Sequence, residues 1–346
     1  MSRLPTEMQT MRMGRLSRLP AFFALEGKRA VVAGGGGGLS GGDGRFRLAP
    51  LARPRRSVER SSIMAEPAVS VVVETPSGKG RNDENFPVGS WLIRRDLRPH
   101  VHAFYRFARE ADDIADNGDL PAAEKVRRLE RMGSVLDGAP GDDAPSAVAM
   151  RQSLRATGVT AQHCHDILTA FKQDATKLRY RDWDDLMNYC RYSASPVGRQ
   201  LLDLHGESRA TWVPSDALCS ALQVLNHLQD CAVDYQRLDR VYLPEPWLAA
   251  EGARVEDLRA PSSTVGLRRV IDRLLDGTDA LIATAQALPG VVKSSGLSRE
   301  CAAIVALAIR LAARLRRGDP LAMRVKLSPV DFALATLIGL VRGGRA

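Results

Sequence analysis

From about Asn85 onward, apolar residues recur at three- and four-residue spacings, and strand-like alternation is nearly absent. That periodicity confines the body of the chain to an all-α fold, since a sheet needs a side-chain period of two. Val101, Phe104, Ala108, Ala111 and Ala115 form one stripe, closed by Asn117-Gly118 in the manner of a helix stop. Further helices are predicted over 121–137, 145–157, 160–177, 183–206, 215–238, 264–288, 298–316 and 329–341. Breakers separate them at Gly138-Ala-Pro140, Gly158, Pro214, Pro244 with Pro246, Pro261, Pro289-Gly290 and Gly318-Asp-Pro320. No repeat of roughly 20–50 residues is visible, which argues against a solenoid. The reading is one all-α domain over 85–346. No stretch approaches the roughly 20 apolar residues of a membrane span, and 332–341 reads as a packed or interfacial helix.

Upstream of the body the chain is different. It has 49 Lys+Arg against 40 Asp+Glu, a net charge of +9. Residues 1–63 hold 12 basic and 4 acidic side chains, so the leader carries +8 and everything after it +1. The surplus that would suggest a nucleic-acid partner therefore sits outside the periodic body, and no nucleic acid is expected. Residues 1–63 read as a basic, disordered leader, with Met64 as an alternative start and 64–84 as a flexible lead-in. Within the leader, Gly36, Gly38 and Gly41 formally spell G-x-G-x-x-G. A dinucleotide site also needs a helix opening directly after the glycines, and Gly42-Asp-Gly44 followed by Pro50 and Pro54 cannot supply one. Glu26, Lys28 and Arg29 interrupt the only apolar run, which excludes a secretory signal. Cys164, Cys190, Cys219, Cys231 and Cys301 are odd in number and never spaced C-x-x-C, the pattern of reduced thiols in a cytosolic protein.

The chemistry lies on two predicted helices. Asp112 and Asp116 are four residues apart, so their carboxylates stand one above the other, with Tyr105 and Arg109 on the same face. Like charges at that spacing cost stability unless a cation neutralises them, and Mg²⁺ takes one or two carboxylates plus substrate phosphates. A solvated acidic helix end would look the same taken alone. The second helix narrows the choice, because Gln223, Asn226, Asp230 and Asp234 place oxygen groups on one face of an otherwise apolar segment. Opposed across a bundle, the two faces would cage metal ions and a diphosphate, with Arg240 and Tyr242 just beyond as donors to phosphate oxygens.

With these residues in view, the body resembles the squalene and phytoene synthase family, the head-to-head prenyltransferases of the all-α isoprenoid synthase fold. Asp112 and Asp116, with Tyr105 and Arg109 upstream, match its D-x-x-x-D motif. Gln223, Asn226, Asp230 and Asp234, followed by Arg240, Tyr242 and Pro244, match its second motif. Tyr189, Cys190, Ala194, Val197 and Gly198 match an intervening signature, and Arg324-Val-Lys-Leu-Ser328 is similar to a basic segment near the end. The segment from Glu84 to Ser90, together with Pro196 and Arg199, is closest to the subgroup that converts presqualene diphosphate to hydroxysqualene. Gln229 stands where condensing relatives carry Arg.

The resemblance implies a helical bundle around a central active-site cavity and a prenyl diphosphate substrate. It implies Mg²⁺, with Mn²⁺ as the alternative ion, held by Asp112, Asp116, Asn226, Asp230 and Asp234. Tyr105, Arg109, Lys177, Gln223, Arg240, Tyr242 and Arg324 are expected around the substrate. Diphosphate loss, cation rearrangement and capture by water need no NADPH. Tyr189, then Tyr192 and His227, are the candidates for activating that water. Ala194, Ser195 and Gly198 either line a prenyl tunnel or let two helices pack closely. His163 and His165 point to different faces and are not read as a metal pair. A lipophilic substrate implies a cytoplasmic enzyme in peripheral contact with the cytoplasmic membrane face and with pathway enzymes. Condensation of two prenyl diphosphates is the rival within the family, and a non-catalytic helical module using the basic leader is the rival outside it.

Overall fold

The computed structural model describes Val73, Glu74 and residues 92–342. The leader, the lead-in apart from Val73 and Glu74, and the 84–90 segment lie outside the described residues, as do the expectations placed on them. Among the described residues the regular structure is helical throughout. The order is α1 (Arg98–Ala115), α2 (Ala122–Asp137), α3 (Pro145–Thr157), α4 (Gln162–Asp174), α5 (Trp183–Ser193), α6 (Ser195–Leu204), α7 (Trp212–Leu238), α8 (Glu245–Ala250), α9 (Val265–Ala285), α10 (Leu288–Val291), α11 (Ser295–Arg317) and α12 (Pro329–Arg342). No helix among them is long and apolar enough to cross a membrane.

Two packing groups position the site. α1 lies against α2, α3 and α4, with Phe104, Phe107, Ile114, Met132, Met150 and Ile167 fully buried between them. α7 lies against α6 and α9, with α5 and α11 also on it, and α12 runs along α11. Every residue from Ala217 to Gln229 is buried, so α7 is enclosed on all sides through its middle turns. A helix in that position is expected to be apolar all round, which makes each polar side chain on it notable.

Prolines explain the main departures from the periodicity. The span predicted as one helix over 183–206 is two, broken at Ala194, because Pro196 cannot donate to the ladder and its ring disfavours helical geometry upstream. Pro214 does not precede α7 but lies in its first turn, where a missing N–H costs nothing. Pro246 likewise starts α8, a helix the periodicity does not show, and Pro289 starts the single turn of α10. At the far end, Ser328 caps α12. Its N–H donates to Asp331 Oδ2 at 2.8 Å, its hydroxyl donates to the same oxygen at 2.7 Å, and Asp331 N–H donates back to Ser328 Oγ at 3.3 Å. This is a capping box with aspartate as the acidic member. Arg314 at 2.6 Å and Arg310 at 3.3 Å tie Asp331 to α11.

Candidate active site

The last turn of α7 reverses the chain into the site. Asp239 adopts φ 49°, the one left-handed non-glycine residue among those described, a conformation aspartate tolerates better than most. Arg179 holds the turn, donating to the Asp239 carbonyl and, at 2.7 Å, to its carboxylate. Arg240 N–H then donates back to the Asp234 carbonyl at 3.3 Å. Val241 and Glu245 donate to the carbonyls of Leu178 and Tyr180 at 2.9 and 3.2 Å, which clamps this stretch onto the α4–α5 connection.

Arg240 is thereby buried at 2% exposure among carboxylates. Its guanidinium donates to Asp116 Oδ1 at 3.3 Å and to the Asp174 carbonyl at 2.9 Å, and lies 3.5 Å from Asp174 Oδ1. One side chain therefore joins the ends of α1, α4 and α7. Asp174 was not among the sequence candidates, yet it organises the cluster. It accepts from Tyr189 at 2.7 Å and from Tyr242 at 3.3 Å. The tyrosine rings pack on one another, Tyr180 against both Tyr189 and Tyr242, and His227 stacks on Tyr242 with ring centroids 3.4 Å apart. Burial, with the Asp174 charge adding to it, pushes the Tyr189 hydroxyl well above its ordinary ionisation range. That hydroxyl is a donor to a carboxylate. Tyr192 sits apart from this stack, half-buried beneath Arg191.

On α1, Arg109 is buried with its guanidinium 3.4 Å from Asp112 and donating to Asp113 at 2.9 Å. On α7, Gln223, Asn226, Asp230 and Asp234 share a face, and the side-chain oxygens of Gln223 and Asn226 are buried with no hydrogen-bond partner. Such oxygens beside carboxylates are the hard donors that Mg²⁺ accepts, so this face fits a divalent cation. Among the described residues no three His, Cys, Asp or Glu side chains gather tightly enough to hold a metal by themselves. Phosphate oxygens would complete such a coordination shell.

Other sequence candidates fall at different distances from this centre. Tyr105 is buried on α1, beside the core. Lys177 donates to Asp185 at 2.6 Å with its ammonium 4.4 Å from the Tyr180 ring centroid, so it flanks the tyrosine stack with its charge already paired. Arg324 is exposed, on the rim of a separate cleft, and its segment is linked to α7 through Gln229, whose amide donates to the Val325 carbonyl at 2.7 Å. Gly198 lies where α6 meets α7. A methyl group there would clash with Ser215 Oγ and lie 2.8 Å from Cys219 Sγ, so the glycine lets α6 pack closely on α7. Ala194 is fully buried at the α5–α6 break. His163 donates from Nε2 to Asp203 and His165 from Nε2 to Asp137, both at 2.8 Å. All five cysteines are free and buried.

An all-helical bundle in which a buried arginine joins Asp116 at the end of α1 to Asp174 at the end of α4 defines the class, and comparison with known proteins agrees. The family model for squalene/phytoene synthase matches residues 80–331, and the chain belongs to that family. Its relatives include the hydroxysqualene synthase of Rhodopseudomonas palustris, 46% identical over 76% of this chain and 90% of that protein. The hydroxysqualene synthase of Sinorhizobium fredii is 44% identical over 73% of this chain and 86% of that protein. Among solved structures, squalene synthase HpnC from Alicyclobacillus acidocaldarius superposes with a TM-score of 0.58 at 33% identity, over 65% of this chain and 85% of that one.

Proposed function

We propose that this chain is a hydroxysqualene-forming enzyme, removing diphosphate from presqualene diphosphate with Mg²⁺ and delivering water to the rearranged cation. The observation that carries the reading is the pair of buried, unpartnered oxygens of Gln223 and Asn226 on α7, the helix followed by Arg240, whose guanidinium donates to Asp116 at the end of α1. The identity of 44–46% to hydroxysqualene synthases over most of the chain supports the same subgroup. Asp112, Asp116, Asn226, Asp230 and Asp234 would hold the metal, whose chemistry is to stabilise the departing diphosphate as a Lewis acid.

The chain's own residues do the rest. Arg109 holds positive charge beside Asp112 and Arg240 beside Asp116, where it favours charge developing on the leaving group. Asp174 fixes Arg240 and the hydroxyls of Tyr189 and Tyr242, so the guanidinium is oriented before substrate arrives. Tyr189 in this reading is a positioning residue and not the base for the capturing water. The enclosed middle of α7 keeps bulk water away from a reactive carbocation. Because substrate and product are lipophilic, the reaction is placed in the cytoplasm against the membrane face.

Incubating the purified chain with presqualene diphosphate and Mg²⁺ tests this directly. The expected products are hydroxysqualene and inorganic diphosphate. Formation of presqualene diphosphate from farnesyl diphosphate alone would replace the reading with a condensing enzyme.

A further inference from the structure

α12 has a solvent face without charge. Between Asp331 and Arg342 the sequence carries no ionisable side chain, and Val330, Leu334, Leu337, Leu340 and Val341 are exposed over three turns. The opposite stripe, Asp331, Ala335 and Gly339, is buried on α11. A Cβ at Gly339 would lie 2.6 Å from the Arg299 carbonyl, so the helix is seated close and cannot simply roll its apolar face inward. Solvated helix faces normally carry charge, and a contiguous apolar patch of this kind marks a surface that meets something apolar.

Charge beside the patch says what that something is. At the start of α12 a cleft of about 540 Å³ is lined by Arg310, Arg314, Arg317, Arg324 and Lys326, with Asp331 the one acidic side chain among the described residues that line it. Arg310 and Arg314 share Asp331, so the cleft keeps a large positive excess. Exposed Met323 extends the apolar surface to the cleft's edge. An uncharged helix face bordered by clustered cations is the composition of a helix lying in a bilayer interface. At 14 residues α12 is about 21 Å long, too short to span a hydrocarbon core of about 30 Å.

We propose that α12 and its bordering cleft dock this protein on an anionic bilayer, with the helix lying in the interface plane and the cleft over lipid phosphates. This rests on the proposed reaction only for its purpose. Gln229 ties the cleft loop to α7 one residue before Asp230, so the docked side adjoins the place where a long-armed lipid diphosphate would be held.

Vesicle flotation of the full chain tests the proposal. Wild type should float with phosphatidylcholine vesicles containing phosphatidylglycerol and remain largely unbound with phosphatidylcholine alone. L334E/L337E should lower binding to the anionic vesicles more than about tenfold. R317E/K326E should lower it by roughly fivefold per charge and remove the preference for anionic lipid. These side chains lie outside the reaction machinery, so turnover of detergent-solubilised presqualene diphosphate should be unchanged in both variants. That separates failure of docking from failure of the functional reading. Equal flotation of wild type and L334E/L337E overturns the proposal. So does a stable wild-type dimer that L334E/L337E converts to monomer, since the face would then belong to a second copy.

Discussion

Asp174 is the residue on which the candidate site most depends, and its worth can be measured against Tyr189. The two side chains are 2% and 1% exposed, and the tyrosine hydroxyl donates to the carboxylate at 2.7 Å. A buried hydrogen bond to a charged acceptor is worth about 1.5–3 kcal/mol. Tyr189→Phe should therefore destabilise the chain by about that amount. Asp174→Asn should cost more, about 3–5 kcal/mol, because it leaves the buried Arg240 guanidinium with Asp116, 3.3 Å away, as its remaining carboxylate partner. The double variant should fall short of the sum by about 1.5–3 kcal/mol, as for neighbours sharing one bond. Urea unfolding of the four proteins gives that coupling directly. If Asp174→Asn is too unstable to purify, the pair Tyr189→Phe and Tyr242→Phe tests the same carboxylate, with a smaller loss for the 3.3 Å bond of Tyr242. Kinetics add an independent reading. Arg240 displaced by about 1 Å should lower kcat by about 10²-fold with little change in KM. The pH–rate profile of Tyr189→Phe should keep the wild-type shape, because a hydroxyl held well above its ordinary range does not titrate near neutrality. A coupling below about 0.5 kcal/mol, or an alkaline limb that vanishes in Tyr189→Phe, would refute the argument.

Four further outcomes follow from the same geometry. Asp230→Ala and Asp112→Ala should each lower turnover by about 10³-fold or more; melting temperature should stay level or rise slightly in Asp230→Ala, where like-charge repulsion is relieved, and fall in Asp112→Ala, which takes a partner from the buried Arg109. In differential scanning calorimetry, Mg²⁺ with inorganic diphosphate should stabilise the wild type by about 2.7 kcal/mol at a hundred times Kd and Asp230→Ala by almost nothing, and chelation should reverse the gain. Burial works to raise the Asp331 carboxyl, but hydrogen bonds from Ser328 and the Arg314 and Arg310 guanidiniums hold it down at about 2, against an ordinary 3.8. Its stabilisation is thus present above about pH 4 and lost as pH falls towards 2. Asp331→Asn should cost about 1–2 kcal/mol in urea melts at pH 7 and close to nothing at pH 2. Gly198→Ala should destabilise by about 1–3 kcal/mol, since its methyl group meets Ser215 and Cys219, and should leave the product unchanged. A changed product would restore Gly198 to the tunnel.

Legibility in the sequence divides along a physical line. Helices were legible where a long apolar period ran undisturbed, as over 122–137 and 145–157, and the acidic stripes were legible because i and i+4 spacing is a property of the helix alone. What failed was local to proline. Pro196, Pro214 and Pro246 all lie in the first turn of a helix, but only Pro196 also ends a preceding helix two residues earlier, and spacing does not distinguish the two outcomes. Asp174 escaped for another reason. It continues the buried stripe of Cys164, Ile167 and Phe171 on α4, so a carboxylate on an apolar face was visible, but its partners come from 15 and 68 residues away. Nothing in the local pattern names them.

The same division separates which roles geometry changes. Arg109 stays beside the aspartate with which its spacing paired it, because that pairing lies within one helix. Tyr189 and Gly198 were assigned by position in a motif, and the folded chain puts the first on Asp174 and the second against α7. A motif fixes which residues recur together, but whether a side chain faces ligand or scaffold depends on contacts made across the bundle. In the proposed reaction the intrahelical stripes would carry the metal and diphosphate chemistry, and the interhelical bonds through Asp174 and Arg240 would hold those stripes in register. Loss of register without loss of ligands is therefore the failure expected of Asp174→Asn: metal-dependent diphosphate binding retained, turnover lost. An Asp174→Asn protein that loses both together would place the residue among the ligands themselves.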